Sequence, residues 1–174
     1  MTVTRNGRQV SSVSLTNGLV LQSESFYPMT RLDRLVGTSR VVFDSYFEEQ
    51  LLRHCADSVF LHVPKLSLGC VDVARLTATG TVRSKKLPSK HVFEDFRLFC
   101  CYLGMMLDHY FKDEHSPLCE KNRWANSFFV RTDGVLCDVL LARVEEECGW
   151  TWSIVLDWSD DADAIKRRRF FFPV

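Results

Sequence analysis

Residues 90–112 carry the apolar period of an α-helix, and this limits the folds open to the rest of the chain. Apolar side chains recur there every three or four positions, at Val92, Phe96, Phe99, Leu103, Met106 and Tyr110. Charged side chains occupy the opposite side. This spacing predicts a long amphipathic helix with Ser89 as its N-cap. Such a helix must bury its apolar stripe on another layer, and the strands provide one.

The strongest strand pattern is "WTWSIVLDW" at residues 150–158, where apolar and polar side chains alternate strictly. A period of two predicts a strand with one apolar face. The runs "WANSFFVR" and "VLCDVLLARV" precede it and meet at Asp133-Gly134, a dipeptide typical of hairpin turns. The three runs together predict an antiparallel meander.

The N-terminal part predicts another meander, because Asn6-Gly7 and Asn17-Gly18 separate three strand-like runs. A loop with Pro28 follows it. Ser45 with Glu48 three positions later fits a capping box and predicts a helix over residues 45–55. The strand "SVFLHV" comes next.

A further hairpin is predicted around Thr79-Gly80. The element order is then roughly βββ-α-βββ-α-βββ-α. Antiparallel meanders and helices in separate blocks indicate an α+β fold, with the sheet packed on the one long amphipathic helix near residues 90–112. A chain of 174 residues fits a single globular domain spanning residues 1–174.

Charge and cysteine usage favour an intracellular, cytoplasmic protein. The formal net charge is zero, from 22 basic and 22 acidic residues, so no whole-chain basic footprint for nucleic acid is present. The seven cysteines are odd in number and lie mostly in apolar surroundings, which favours reduced, buried thiols. We see no signal peptide and no apolar run long enough for a membrane span, so no membrane association is predicted.

No specific catalytic or metal-binding motif is present. His109, His115 and Cys119 lack the paired spacing of a zinc site, and we interpret them as a solvated loop with one buried cysteine. His54-Cys55 is the best Cys–His pair, but adjacent helix residues do not face each other. Phosphate-binding glycine motifs are absent. We therefore predict no catalytic residue, no metal, no cofactor and no small-molecule ligand.

Asp138 and Asp157 are the acidic residues that the last meander can bring together across neighbouring strands. Converging carboxylates can hold the paired metals of a hydrolase or nuclease. We keep that function as a third alternative, and interpret both residues in the first instance as members of the solvent face of half-buried strands.

The last residues predict a short helix followed by an aromatic run. Ser159 can cap it, aspartates fall in its first turn, and Lys166–Arg169 fall in its last, where each charge favours the helix dipole. The helix dipole explains the charges but does not explain the following run, Phe170-Phe171-Phe172. Three exposed phenylalanines are unfavourable in a monomer, so they either fold back on the core or anchor a partner.

The leading functional hypothesis is a non-enzymatic protein–protein interaction module, a subunit or regulator of a larger assembly. Its predicted partner-binding residues are Phe170, Phe171 and Phe172 with Arg167, Arg168 and Arg169. The alternative is RNA or DNA binding through the C-terminal arginines and a basic loop. That loop contains Arg83, Lys85, Lys86 and Lys90.

Overall fold

The computed structural model describes residues 4–5, 8–9, 14–38, 40–56, 60–73, 91–112, 116–121, 124–147, 149–157 and 167–174. These residues form three helices and eleven strands in an α+β fold, the class that the sequence predicts. The helices are α1 (Pro28–Val36), α2 (Ser45–Cys55) and α3 (Phe96–Lys112). The strands are β1 (Thr4–Arg5), β2 (Arg8–Gln9), β3 (Ser14–Leu21), β4 (Glu24–Phe26), β5 (Val41–Phe43), β6 (Leu61–Val63), β7 (Leu66–Val73), β8 (Trp124–Thr132), β9 (Val135–Glu146), β10 (Gly149–Asp157) and β11 (Arg167–Pro173).

One large mixed sheet organises the described part of the chain, with strand order β3-β7-β11-β8-β9-β10-β5. β11 runs parallel to β8 and β5 runs parallel to β10, while the other neighbours are antiparallel. β1 with β2, and β4 with β6, form two small antiparallel sheets. The predicted succession of meanders therefore differs from the observed topology, because β11 returns between β7 and β8.

The meander β8-β9-β10 does form where the sequence predicts it. Asp133 and Gly134 join β8 to β9 with φ angles of 51° and 78°, the positive values that a two-residue hairpin turn requires. On β10, Trp152, Ile154 and Leu156 are 0–2% exposed and belong to the main core. The strict alternation of this strand therefore identifies its inner face correctly.

The N-terminal prediction fails at Asn17-Gly18. Strand β3 continues through this dipeptide, and its pairing with β7 shifts there: Thr16 pairs with Cys70 and Leu19 with Leu68. Two residues of β3 thus oppose the single residue Gly69, which is a β-bulge. β1 and β2, by contrast, pair as the predicted hairpin around residues 6–7 requires.

Helix α3 contributes more residues to the main core than any other described element, but it begins later than predicted. Asp95 caps it, since its carboxylate accepts the backbone N–H of Arg97 at 2.8 Å and of Leu98 at 3.2 Å. The preceding Phe93 is extended: it donates its N–H to the carbonyl of Phe129 and accepts the N–H of Arg131. The predicted cap Ser89 lies outside the described residues.

The starts of α1 and α2 also correct the prediction. Pro28 is the first residue of α1, where its missing N–H costs nothing, and does not belong to a loop. In α2 the cap is Asp44, one residue before the predicted Ser45. The Asp44 carboxylate accepts the N–H of Phe47 at 2.8 Å and also the N–H of Leu156 in β10 at 3.2 Å.

We expect Asp44→Ala to lower the free energy of unfolding by about 1–2 kcal/mol, because it removes the acceptor of both N–H groups. Ser45→Ala is the matched control and should change stability by less than about 0.5 kcal/mol. Urea unfolding of the two variants measures the difference. A larger loss in Ser45→Ala would return the capping role to the residue that the sequence pattern favours.

Candidate interaction surface

The predicted partner-binding residues lie in β11, near the centre of the sheet. Phe171 is 1% exposed and stacks on Phe128 with ring centroids 5.2 Å apart, and Phe170, 9% exposed, stacks on Phe129 at 5.6 Å. Arg167–Arg169 are extended, so the helix predicted there is wrong over these three residues. Aromatic side chains stack well on a pleated surface, which outweighs the charge pattern of the helix. The rest of that predicted helix lies outside the described residues.

Phe172 is half-buried and covers Gly69, the residue that it faces on β7. A Cβ at Gly69 would come within 2.6 Å of the Phe172 ring, which also lies against the His91 ring with centroids 4.7 Å apart. Folding back on the core, the first of the two alternatives for the aromatic run, therefore describes Phe170 and Phe171. Partner contact at these residues stays a prediction.

Arg168 and Arg169 both bind carboxylates within the chain. Arg169 donates to both oxygens of Asp72, at 2.5 and 2.9 Å, and to the carbonyl of Pro117 at 2.6 Å. Arg168 is 5% exposed, lies on the other face of the sheet and pairs with Asp138. Both guanidinium groups therefore have hydrogen-bond partners within the chain.

Asp138 and Asp157 are direct cross-strand neighbours on β9 and β10, as the sequence predicts. Asp138 accepts hydrogen bonds from the Ser127 hydroxyl and from Arg168. Burial raises the pKa of Asp138 and Asp157 adds to the rise, while Arg168 and Ser127 oppose it, so the pKa changes from 3.8 to about 6. The positive charge beside the Asp138 carboxylate therefore comes from Arg168 of the same chain. Among the described residues, no three His, Cys, Asp or Glu side chains converge as a metal site requires.

The basic loop residues Arg83, Lys85, Lys86 and Lys90 lie outside the described residues, as do His115 and the hairpin predicted around Thr79-Gly80. Nucleic-acid binding through this loop therefore stays a prediction.

Half-buried aromatic side chains cluster where α3 ends and β10 begins. Tyr110 meets Trp152 edge-on with ring centroids 5.1 Å apart, and meets Trp150 at 5.9 Å. Phe111 stacks on Trp150 at 6.4 Å, with the two rings inclined by 12°. Trp152 is fully buried, whereas the other three are partly open to solvent. The cluster therefore runs from the core to the surface.

Two arginines lie over these rings. The Arg143 guanidinium carbon is 4.6 Å from the centre of the Trp150 ring, and that of Arg40 is 5.6 Å from the centre of the Phe111 ring. Arg40 is exposed and precedes β5, where its carbonyl accepts the N–H of Trp152 at 2.8 Å. We name Arg40, Tyr110, Phe111, Arg143 and Trp150 the aromatic–arginine surface.

Glu120 interacts with two residues of this surface, Arg143 and Tyr110. Its carboxylate accepts a hydrogen bond from Arg143 at 3.1 Å and another from the Tyr110 hydroxyl. Burial, then Glu120, raises the pKa of Tyr110 to about 12, so the hydroxyl keeps its proton. The fully buried Asn126 holds the segment that carries Glu120: it accepts the N–H of Cys119 at 2.7 Å and donates to its carbonyl at 3.2 Å.

Two buried donors at this surface find no acceptor among the described residues, the indole N–H of Trp152 and the Nε–H of Arg143. Buried polar groups normally have a partner.

Sequence reasoning finds only the aromatic members of this surface. The helical stripe includes Tyr110, and the alternation of β10 includes Trp150, but both patterns assign these residues simply to the core. Arg40 and Arg143 carry no sequence signal, because only the pairing of β5, β9 and β10 brings them beside the aromatic rings.

Comparisons with known protein families, with characterised proteins and with solved structures find no match to the chain. In the described part of the chain, none of the helices has the length and apolar character that a membrane crossing demands.

Proposed function

We propose that the protein is a non-enzymatic protein–protein interaction module of the cytoplasm, a subunit or regulator of a larger assembly, and that it binds its partner through the aromatic–arginine surface. The observation that supports the proposal is the pair of arginine guanidinium groups lying over half-buried Trp150 and Phe111. This assignment moves the contact surface from the C-terminal phenylalanines to the end of α3.

The composition of the surface is that of an interface hot spot. Tryptophan, tyrosine and arginine dominate the few residues that carry most of the binding energy in protein complexes. Tyr110 and Trp150 combine a large apolar ring with a polar group, which suits a surface that is wet before binding and dry afterwards. Arg40 supplies an exposed cation at the edge of this patch.

The side chains of this surface also contact one another and Glu120. Tyr110 is fixed by its edge contacts with Trp150 and Trp152 and by its hydrogen bond to Glu120. Arg143 is fixed between the Trp150 ring and the Glu120 carboxylate. Side chains that are already ordered lose little entropy on association, so more of their contact energy appears as affinity.

Arg40→Glu should remove or strongly weaken partner capture, by about 30-fold for a hot spot worth about 2 kcal/mol. The measurement is affinity purification of the tagged full chain with quantitative mass spectrometry, wild type against variant. Thermal unfolding should be nearly unchanged, because the Arg40 side chain is exposed and its contact with β10 uses the backbone.

The matched control is Arg53→Glu, which reverses another exposed arginine, paired with Asp133 at 2.9 Å beside the β8–β9 turn. It should retain every partner that the wild type captures. Equal loss in both variants would show a general charge effect and remove the aromatic–arginine surface from consideration. A wild type that purifies without any specific partner would contradict the proposed function itself.

A further inference from the structure

Two buried cysteines of different helices lie in the same hydrophobic core. Cys55 is the last residue of α2, and Cys100 lies in the second turn of α3. The two thiols are close enough to interact through a hydrogen bond, which favours the thiolate of Cys55 and the thiol of Cys100. The His54 and Phe96 rings, one position before Cys55 and one turn before Cys100, also meet, with centroids 5.6 Å apart. The last turn of α2 therefore packs on the first turns of α3.

The two thiols have different acid strengths. The hydrogen bond with Cys100 lowers the pKa of Cys55, and the nearby Arg97 guanidinium lowers it further, against the opposing effect of burial. Burial raises the pKa of Cys100 well above its usual value, and the Cys55 sulfur adds to the rise. The thiolate is the reactive form of cysteine, so Cys55 is the nucleophile of the pair and Cys100 keeps its proton.

We propose that Cys55 and Cys100 form a thiol oxidation site, in which hydroperoxide converts the two thiols into an intramolecular disulfide. In the first step the Cys55 sulfur attacks one peroxide oxygen, the O–O bond breaks, and Cys55 becomes a sulfenic acid as the other oxygen leaves as water or an alcohol. In the second step the Cys100 sulfur attacks the Cys55 sulfur and displaces water. The two thiols lose two electrons in total, which reduce one hydroperoxide molecule.

The position of Cys55 gives the oxidant a route to it. Its side chain is 3% exposed, but it ends α2, and its neighbours Leu52, Arg53 and Ala56 are exposed. Terminal helix turns open locally far more easily than the whole fold does. The C-cap residue Ala56 holds this turn by one backbone hydrogen bond, from its N–H to the carbonyl of Leu52 at 3.3 Å. Brief opening of one turn is then enough to expose the sulfur.

Cys101 and Cys137 offer matched comparisons. Cys101 is the sequence neighbour of Cys100 and equally buried, but it follows on a different side of α3. Burial, with Asp138 and Asp133, raises the pKa of Cys137 to about 11, so this thiol is poorly ionised at neutral pH. Neither should react before Cys55.

The test treats the reduced full chain with hydrogen peroxide, blocks the remaining thiols, digests the chain with trypsin and identifies cross-linked peptides. We expect a peptide pair linking Cys55 to the segment with Cys100 and Cys101, lighter by two hydrogens and separated again by a reducing agent. The link should be lost in Cys55→Ser and in Cys100→Ala and kept in Cys101→Ala. Circular dichroism of the untreated variants checks that each is folded.

In Cys100→Ala, Cys55 should instead be trapped by a sulfenic-acid reagent, which keeps the first step testable without the second. Three results would overturn the proposal: a link that survives in Cys100→Ala through Cys101, oxidation of Cys137 before Cys55, or peroxide treatment that leaves Cys55 and Cys100 reduced while the chain stays folded.

Discussion

Arg168→Met should lower the free energy of unfolding by about 3–5 kcal/mol at neutral pH, one of the two largest effects that we expect from a single substitution. The variant removes the partner of a carboxylate that is almost as deeply buried: the side chains of Arg168 and Asp138 are 7% and 12% exposed. Because Asp157 faces Asp138 across the strands, the carboxylate is left beside a second acidic group.

Replacing both members of the pair should change the free energy of unfolding much less than replacing Arg168 alone. In Arg168→Met with Asp138→Leu, neither charge of the buried pair remains, and apolar side chains of similar volume extend the cluster of Val92, Phe129 and Phe170 on this face of the sheet. Stability close to wild type is the expected outcome. Urea unfolding of the wild type, both single variants and the double variant gives the coupling energy of the pair.

The pH dependence of stability provides a second measurement on the same proteins. The pKa of Asp138 is about 6 in the fold against 3.8 ordinarily, so between these values the folded state holds a proton that the unfolded state has released. Asp138 therefore makes the free energy of unfolding fall as pH rises from about 4 to 6, by up to about 3 kcal/mol. The double variant should lose this contribution. A double variant as unstable as Arg168→Met would show that the ion pair itself stabilises β11.

Phe171→Ala should cost about 3–5 kcal/mol, the range for removing a fully buried aromatic ring from a core. Phe171 lies on β11 between Cys70 of β7 and Phe128 of β8, and its ring stacks on that of Phe128. The variant leaves a cavity where the two parts of the sheet meet. Differential scanning calorimetry measures the shift in melting temperature.

Phe172→Ala is the matched control, because Phe172 is only half-buried and lies one residue further along the same strand. We expect it to cost about 1–2 kcal/mol, as suits a partly covered ring. Wild-type stability in Phe171→Ala, together with loss of partner capture, would favour the alternative in which the C-terminal phenylalanines anchor a partner.

Elements with strong local patterns could be predicted from the sequence. The helical period places the end of α3 at its observed residue, Lys112, but starts the helix six residues too early, and alternation identifies the inner face of β10. The predicted helix caps were less accurate: the sequence favours Ser45 and Ser89, whereas the observed caps are Asp44 and Asp95. Only the backbone geometry shows which side chain meets the free N–H groups.

The role of the last strand could not be predicted, because it depends on non-local pairing. Lys166–Arg169 have the charge pattern of a helix end, but β7 and β8 offer Arg169 the carboxylate of Asp72 and Phe171 the ring of Phe128. Tertiary contacts override local preference here. The aromatic–arginine surface depends in the same way on the parallel pairing of β5 with β10, which no local pattern indicates.

The position of β11 between β7 and β8 also determines the order in which the sheet can assemble. Until β11 is in place, β3 with β7 and the group β8-β9-β10-β5 are separate sheets, each with an open edge that can pair with another chain. Closing the gap requires contacts between residues far apart in sequence, which slows folding. The edges of β7 and β8, which β11 covers in the folded protein, are therefore the places where the chain can pair with another copy before β11 is in place.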